Sequence, residues 1–100
     1  MVRTTLRSIV ADLNAHPDEH MICARKPWSG LSDAVVTEPT EELGVPAKVR
    51  EDGYEYFLEV FIAHEVLGVF SEPRGLDDQV RLLIHYAEHD AYPEWAFAPN

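Results

Sequence analysis

Residues 54–62 alternate with the period of an extended chain. Tyr54, Tyr56, Leu58, Val60 and Ile62 fall on one face of a period-2 strand, and Glu55, Phe57, Glu59 and Phe61 on the other. The first face is wholly apolar and is expected to meet helices. The second mixes acids with Phe, so it is either half-covered or an interaction face. Near Ile62 and Ala63 the period is expected to change. Downstream, Leu76, Val80, Leu83, Ile84 and Ala87 form the clearest helical stripe in the chain. Asp77 and Asp78 sit in its first turn, where acids complement the positive end of the helix dipole. That helix is expected over 76–90, before Tyr92-Pro93. A chain with both periods has to bury a sheet face against a helix face.

The remaining segments fit around this pair. Leu6, Ile9, Val10 and Leu13 make a helical stripe over 6–13, capped by Thr4 or Thr5 and ended by His16-Pro17. Residues 20–25 read as a buried strand and residues 33–38 as a second. Pro27, Trp28, Ser29 and Gly30 turn between them, which predicts a hairpin. Residues 38–53 read as the longest loop, with a helical turn possible over 40–43. Val66, Leu67, Val69 and Phe70 suit a short helix, weakened by Gly68 and ended by Pro73-Arg74-Gly75. The apolar tail of Trp95, Ala96 and Phe97 is expected to dock. The expected order is helix, strand, strand, strand, helix, helix, and the fold class is α+β. A mainly antiparallel sheet of at least three strands would carry its helices on one face.

One domain is expected over 1–100, with chain enough for one modest core. The 46% hydrophobic content argues for a folded chain, since disordered acidic chains are poor in apolar residues. No apolar run approaches the roughly 20 residues of a membrane span. The lone Cys23 permits no internal disulfide, and residues 6–13 are too interrupted for a secretory signal, so a cytoplasmic setting is expected.

Charge narrows the partners. The formal net charge is −10, and the excess lies beyond residue 26, where 15 acids face Lys48, Arg50, Arg74 and Arg81. Such a field repels nucleic acid and anionic membranes and attracts a basic protein surface. The cations are too scattered for a nucleic-acid footprint. Glu38, Glu41, Glu42, Glu51 and Asp52 crowd the long loop, which is either functional or a solvated connector. Glu55 and Glu59 lie roughly 13 Å apart along a strand, too far for paired-carboxylate hydrolysis. With Phe57 between them they would suit Arg and Lys of a partner, unless they belong to an ordinary exposed sheet face. Trp28 either anchors an interface or plugs the core, and Trp95 poses the same choice.

Signals for catalysis are thin. His85 and His89 stand one helical turn apart with Glu88 beside them, a spacing that could share a metal but is common by chance. His64 and Glu65 could form an imidazole–carboxylate pair, but adjacent helix residues point apart, and a helix-start Glu favouring the dipole is the simpler account. No nucleophile motif, calcium loop or phosphate-binding glycine loop is present. No cofactor or metal is expected.

The phrases Ala24-Arg25-Lys26-Pro27-Trp28, Tyr56-Phe57-Leu58-Glu59-Val60-Phe61 and Tyr86-Ala87-Glu88-His89-Asp90-Ala91-Tyr92-Pro93 resemble those of small bacterial proteins. In general character the chain is similar to immunity proteins of bacterial toxin systems and to phage-encoded inhibitors of bacterial defence. The resemblance implies an inhibitor and transfers no functional residue. The expectation is therefore a non-enzymatic acidic inhibitor of a basic partner, a toxin nuclease or a nucleic-acid-binding defence complex. Its contacts would be Trp28, Glu38, Glu41, Glu42, Glu51, Asp52, Glu55, Phe57 and Glu59. The alternatives are a small enzyme or metal-dependent protein using His64, His85 and His89, and a structural homodimer.

Overall fold

The computed structural model describes residues 3–42 and 44–97. Its backbone runs β1 (Thr4–Thr5), α1 (Leu6–Ala11), β2 (Met21–Ala24), β3 (Asp33–Thr37), α2 (Ala47–Glu51), β4 (Glu55–Glu59), α3 (Val60–Leu67) and α4 (Leu76–His89). Short 3₁₀ turns follow α1 at Leu13–Ala15 and α4 at Glu94–Phe97. The strands form one antiparallel sheet in the order β1-β3-β2-β4. The α+β class and the β2–β3 hairpin are as expected. The simple order of helix, three strands and two helices is not: a two-residue strand precedes α1, and α2 interrupts the strands.

Local chemistry accounts for the elements. Thr5 caps α1, its hydroxyl accepting from the Ser8 amide at 3.2 Å. The helix stops at Ala11, and Leu13 reaches the core from the 3₁₀ turn that follows, short of the continuous 6–13 helix expected. In the hairpin, Met21 pairs with Thr37 and Ala24 with Ala34. Ser32 closes the connection, its hydroxyl donating to Pro27 and accepting from the Ser29 amide. The Lys26–Pro27 peptide is cis. Asp90 ends α4 in the left-handed region at φ 53°, a conformation Asp tolerates better than most residues.

Both faces of the sheet are covered, which corrects the one-faced arrangement. Ile22, Ala24 and Ala34 point to a main core with Leu6, Ile9, Val10, Phe57, Leu58, Val60, Leu82 and Leu83. Met21, Cys23 and Val35 point the other way, to a second cluster with Val49 of α2 and Tyr54. The segment read as the longest loop thus contains a five-residue helix whose one buried side chain, Val49, closes the second face. The helical turn expected over 40–43 is a turn closed by Thr40, whose amide and hydroxyl both bond to Gly44. Leu43 lies outside the described residues. Gly53, at φ 90°, reverses the chain from α2 into β4, a conformation that favours glycine.

The largest correction falls on residues 54–62. Opposite β2, Ile22 pairs with Leu58 but Cys23 pairs with Tyr56, so Phe57 is an extra residue in a β-bulge. Phe57 and Leu58 both turn into the main core, where Phe57 is 1% exposed. Tyr56, placed by its period among the core residues, is 41% exposed. The strand ends at Glu59 and α3 begins at Val60, two residues before the expected change. Val69 and Phe70 lie beyond α3. His64 and Glu65 consequently sit in its second half, so the helix-start account of Glu65 fails. The α4 stripe holds for Val80 and Leu83, while Ile84 and Ala87 are half-buried. Leu82, off the stripe, is fully buried because α4 is flanked by α1 and by α3.

Burial of Cys23 has a measurable consequence. The thiol is wholly enclosed, and desolvation pushes its pKa from 9.0 up to about 11. A pKa raised by folding stabilises the fold fully below the ordinary value and loses that contribution as pH climbs through the folded one. The urea midpoint should hold from pH 7 to about 9 and then fall toward about 11, less steeply in Cys23→Ala. A disulfide reagent at pH 8 should label the native thiol far more slowly than the unfolded one. Rapid native labelling would place Cys23 outside the enclosed cluster.

Candidate protein-binding surface

The acids assigned to binding do not form one continuous face. The bulge separates Glu55 from Glu59. Glu55 pairs with Ala24, on the main-core side, while Glu59 pairs with Met21, on the side of the second cluster. The expected surface of Glu55, Phe57 and Glu59 therefore does not exist. Phe57 is a core residue and cannot serve as an apolar anchor.

The bulge instead brings together two residues three apart. Tyr56 and Glu59 would face opposite ways in a regular strand. Here the Tyr56 hydroxyl donates to Glu59 Oε2 at 2.8 Å. Partial burial, this hydrogen bond and the Glu59 charge together push the Tyr56 phenol well above its ordinary value. Glu59 is half-buried and stands at the N-cap of α3.

The other acids are solvated and differ in their partners. Glu41 and Glu42 are exposed at the Thr40–Gly44 turn. Glu38 is exposed beyond β3, its Oε1 3.7 Å from His20 Nε2. Glu51 is exposed at the end of α2. Asp52 lies 3.8 Å from Arg3, and Glu55 the same distance from Lys26. Exposed pairs of this length contribute about 0–1 kcal/mol and hold neither acid away from a competing cation.

Trp28 is half-buried. Its ring packs edge-on against Phe57 at 5.0 Å, and its indole N–H donates to the Ala24 carbonyl at 3.2 Å. Lys26 Nζ lies 4.8 Å over the same ring. Trp28 therefore belongs partly to the core and partly to the surface.

Two clefts meet beside these residues. One, of about 350 Å³, is lined by four successive residues of β4, Tyr56, Phe57, Leu58 and Glu59, and by Ile62, Tyr86, Ala87 and Asp90. The other, of about 470 Å³, is lined by Lys26, Pro27, Trp28, Ala87 and Glu88. Ala87 belongs to both, so they adjoin along α4. Tyr86, Ala87, Glu88 and Asp90 were not legible as surface partners of the strand. Their helical position was clear, but its placement beside β4 is a property of the tertiary fold.

The histidines give no comparable assembly. His85 and His89 stack with ring centroids 4.5 Å apart on α4, while His64 lies on α3. Among the described residues no three His, Cys, Asp or Glu side chains gather as metal ligands. No helix among the described residues is long and apolar enough to cross a membrane. No known family model matches the chain, nor does any curated protein or any solved structure.

Proposed function

We propose that the chain is an acidic protein-binding inhibitor, of the immunity or anti-defence type, acting on a basic partner that handles nucleic acid. Its carboxylates take the place of phosphate on the partner's Arg and Lys, and opposite potentials speed the encounter. The observation that carries the reading is the net charge of −10 combined with solvent-exposed Glu38, Glu41, Glu42, Glu51 and Glu55. Folding has not consumed these acids in buried ion pairs, so they remain available to a partner.

The experiment is capture of partners from host lysate followed by titration of the purified pair at low and high salt. The expected result is a nuclease or a subunit of a nucleic-acid-binding complex, bound more weakly as salt rises, because exposed charges are screened beyond about 10 Å at 0.1 M. Affinity independent of salt, or recovery of the chain alone, would overturn the reading.

A further inference from the structure

Among the described residues, the strand order places β4 at one edge of the sheet, where β2 is its sole partner. In an antiparallel pair, alternate backbone N–H and C=O groups face the neighbour and the rest face away. Four successive residues of β4 line a cleft of about 350 Å³. Phe57 and Leu58 are buried, so Tyr56 and Glu59, on either side of the bulge, are the residues that present this edge to the cleft. Its far wall is α4, with Tyr86, Ala87 and Asp90, and Ile62 of α3 adds apolar surface. We propose that this edge takes an extended basic segment of a partner as a fifth strand.

Three observations select that occupant. Unpaired strand groups favour an extended chain over a helix or a small molecule. The half-buried Ile62, Tyr86 and Ala87 on the helix side of the cleft suit alternate aliphatic side chains of the incoming strand. The charges beside it are acidic on both faces: Glu55 on one, Glu59 on the other, with Asp90 at the end of α4 lining the cleft and Glu88 lining the adjoining one. The nearby cation Lys26 already lies 3.8 Å from Glu55 and over the Trp28 ring. A second copy of this chain is a poor occupant, because edge-to-edge pairing would bring together two strands that each carry Glu55 and Glu59 and no cation. Like charges across a strand pair are destabilising. The opposite edge offers less, since β1 is only two residues long.

This inference deepens the inhibitor reading and rests on it for the partner's charge, but it has its own test. The probe is a nine-residue peptide of alternating Val and Arg. Two N-methylated versions go with it, one methylated on every Val and the other on every Arg. All three keep their charge. A strand added at one edge uses only one set of its amides, so one methylated peptide should lose about tenfold or more in affinity while the other binds like the parent. Amide resonances of Glu55–Glu59 should shift, and their exchange with solvent should slow. Equal affinity of all three peptides, equal loss from both methylated ones, absence of binding, or shifts confined to Glu41 and Glu42 would overturn the proposal. Salt-sensitive capture of a partner alongside any of those results would leave the inhibitor reading standing without the fifth strand.

Discussion

Phe57→Ala should destabilise the chain by about 3–5 kcal/mol, the range for removing a buried Phe from a packed core. The ring is 1% exposed and contacts Trp28 edge-on, with centroids 5.0 Å apart and planes at 88°. That arrangement adds about 0.5–1.5 kcal/mol beyond burial. A domain of this size has roughly 5–15 kcal/mol in all, so the substitution should remove a large share of it. The melting temperature should drop by more than about 10 °C. Trp28 loses its neighbour in the same substitution, so its fluorescence should move to longer wavelength before the chain unfolds. The measurement is a urea titration of wild type and variant, with Phe57→Leu as a partial repair. A loss below about 1 kcal/mol would mean that the ring does not fill the main core, and the bulge would have to be abandoned with it.

That substitution also marks where sequence reasoning stopped. A period-2 count over residues 54–62 assumes that each residue advances the strand by one position. The bulge inserts a residue without advancing the register, and every residue on one side of it changes face. Nothing in Tyr-Glu-Tyr-Phe-Leu-Glu announces the insertion, because Phe and Leu are plausible on either face. The early start of α3 was hidden for a related reason: Val60 continues the strand period from Leu58 and equally opens a helix period with Ala63.

By contrast, α4 was legible because its stripe runs over several turns with acids at the correct end. The β2–β3 hairpin was legible because two short apolar runs flank a Pro- and Gly-containing turn. The helix α2 escaped notice since five residues with one large apolar side chain, Val49, carry no period. It forms because Val49 closes the second face over Met21, Cys23, Val35 and Tyr54. The acids of the candidate surface were legible as composition. Which of them adjoin an open strand edge depends on the strand order, which no local pattern encodes.

The binding mechanism makes the second large prediction. Reversing Glu41 and Glu42 to Lys replaces two negative charges by two positive ones, a net change of four, in an exposed turn that makes no ion pair among the described residues. If opposite potentials steer the encounter, association with the basic partner should slow by about tenfold or more at low salt. The difference should shrink toward 0.5 M salt, where the screening length falls to a few ångströms. Dissociation should change less, because rim charges act mainly on the approach. A matched reversal at the β4 edge needs different residues from the obvious pair. Glu59 is half-buried and accepts the Tyr56 hydroxyl, so reversing it would disturb the fold as well as the surface. Glu55 and Glu88 are both exposed, and their reversal should leave the urea midpoint nearly unchanged. At that edge the charges would lie against the bound segment, so the Glu55→Lys, Glu88→Lys variant should quicken dissociation as well as slow association. Stopped-flow kinetics of wild type and both variants at two salt concentrations separates the sites. Two variants with wild-type rates at low salt would exclude electrostatic steering and leave the half-buried Trp28 face as the surface to dissect.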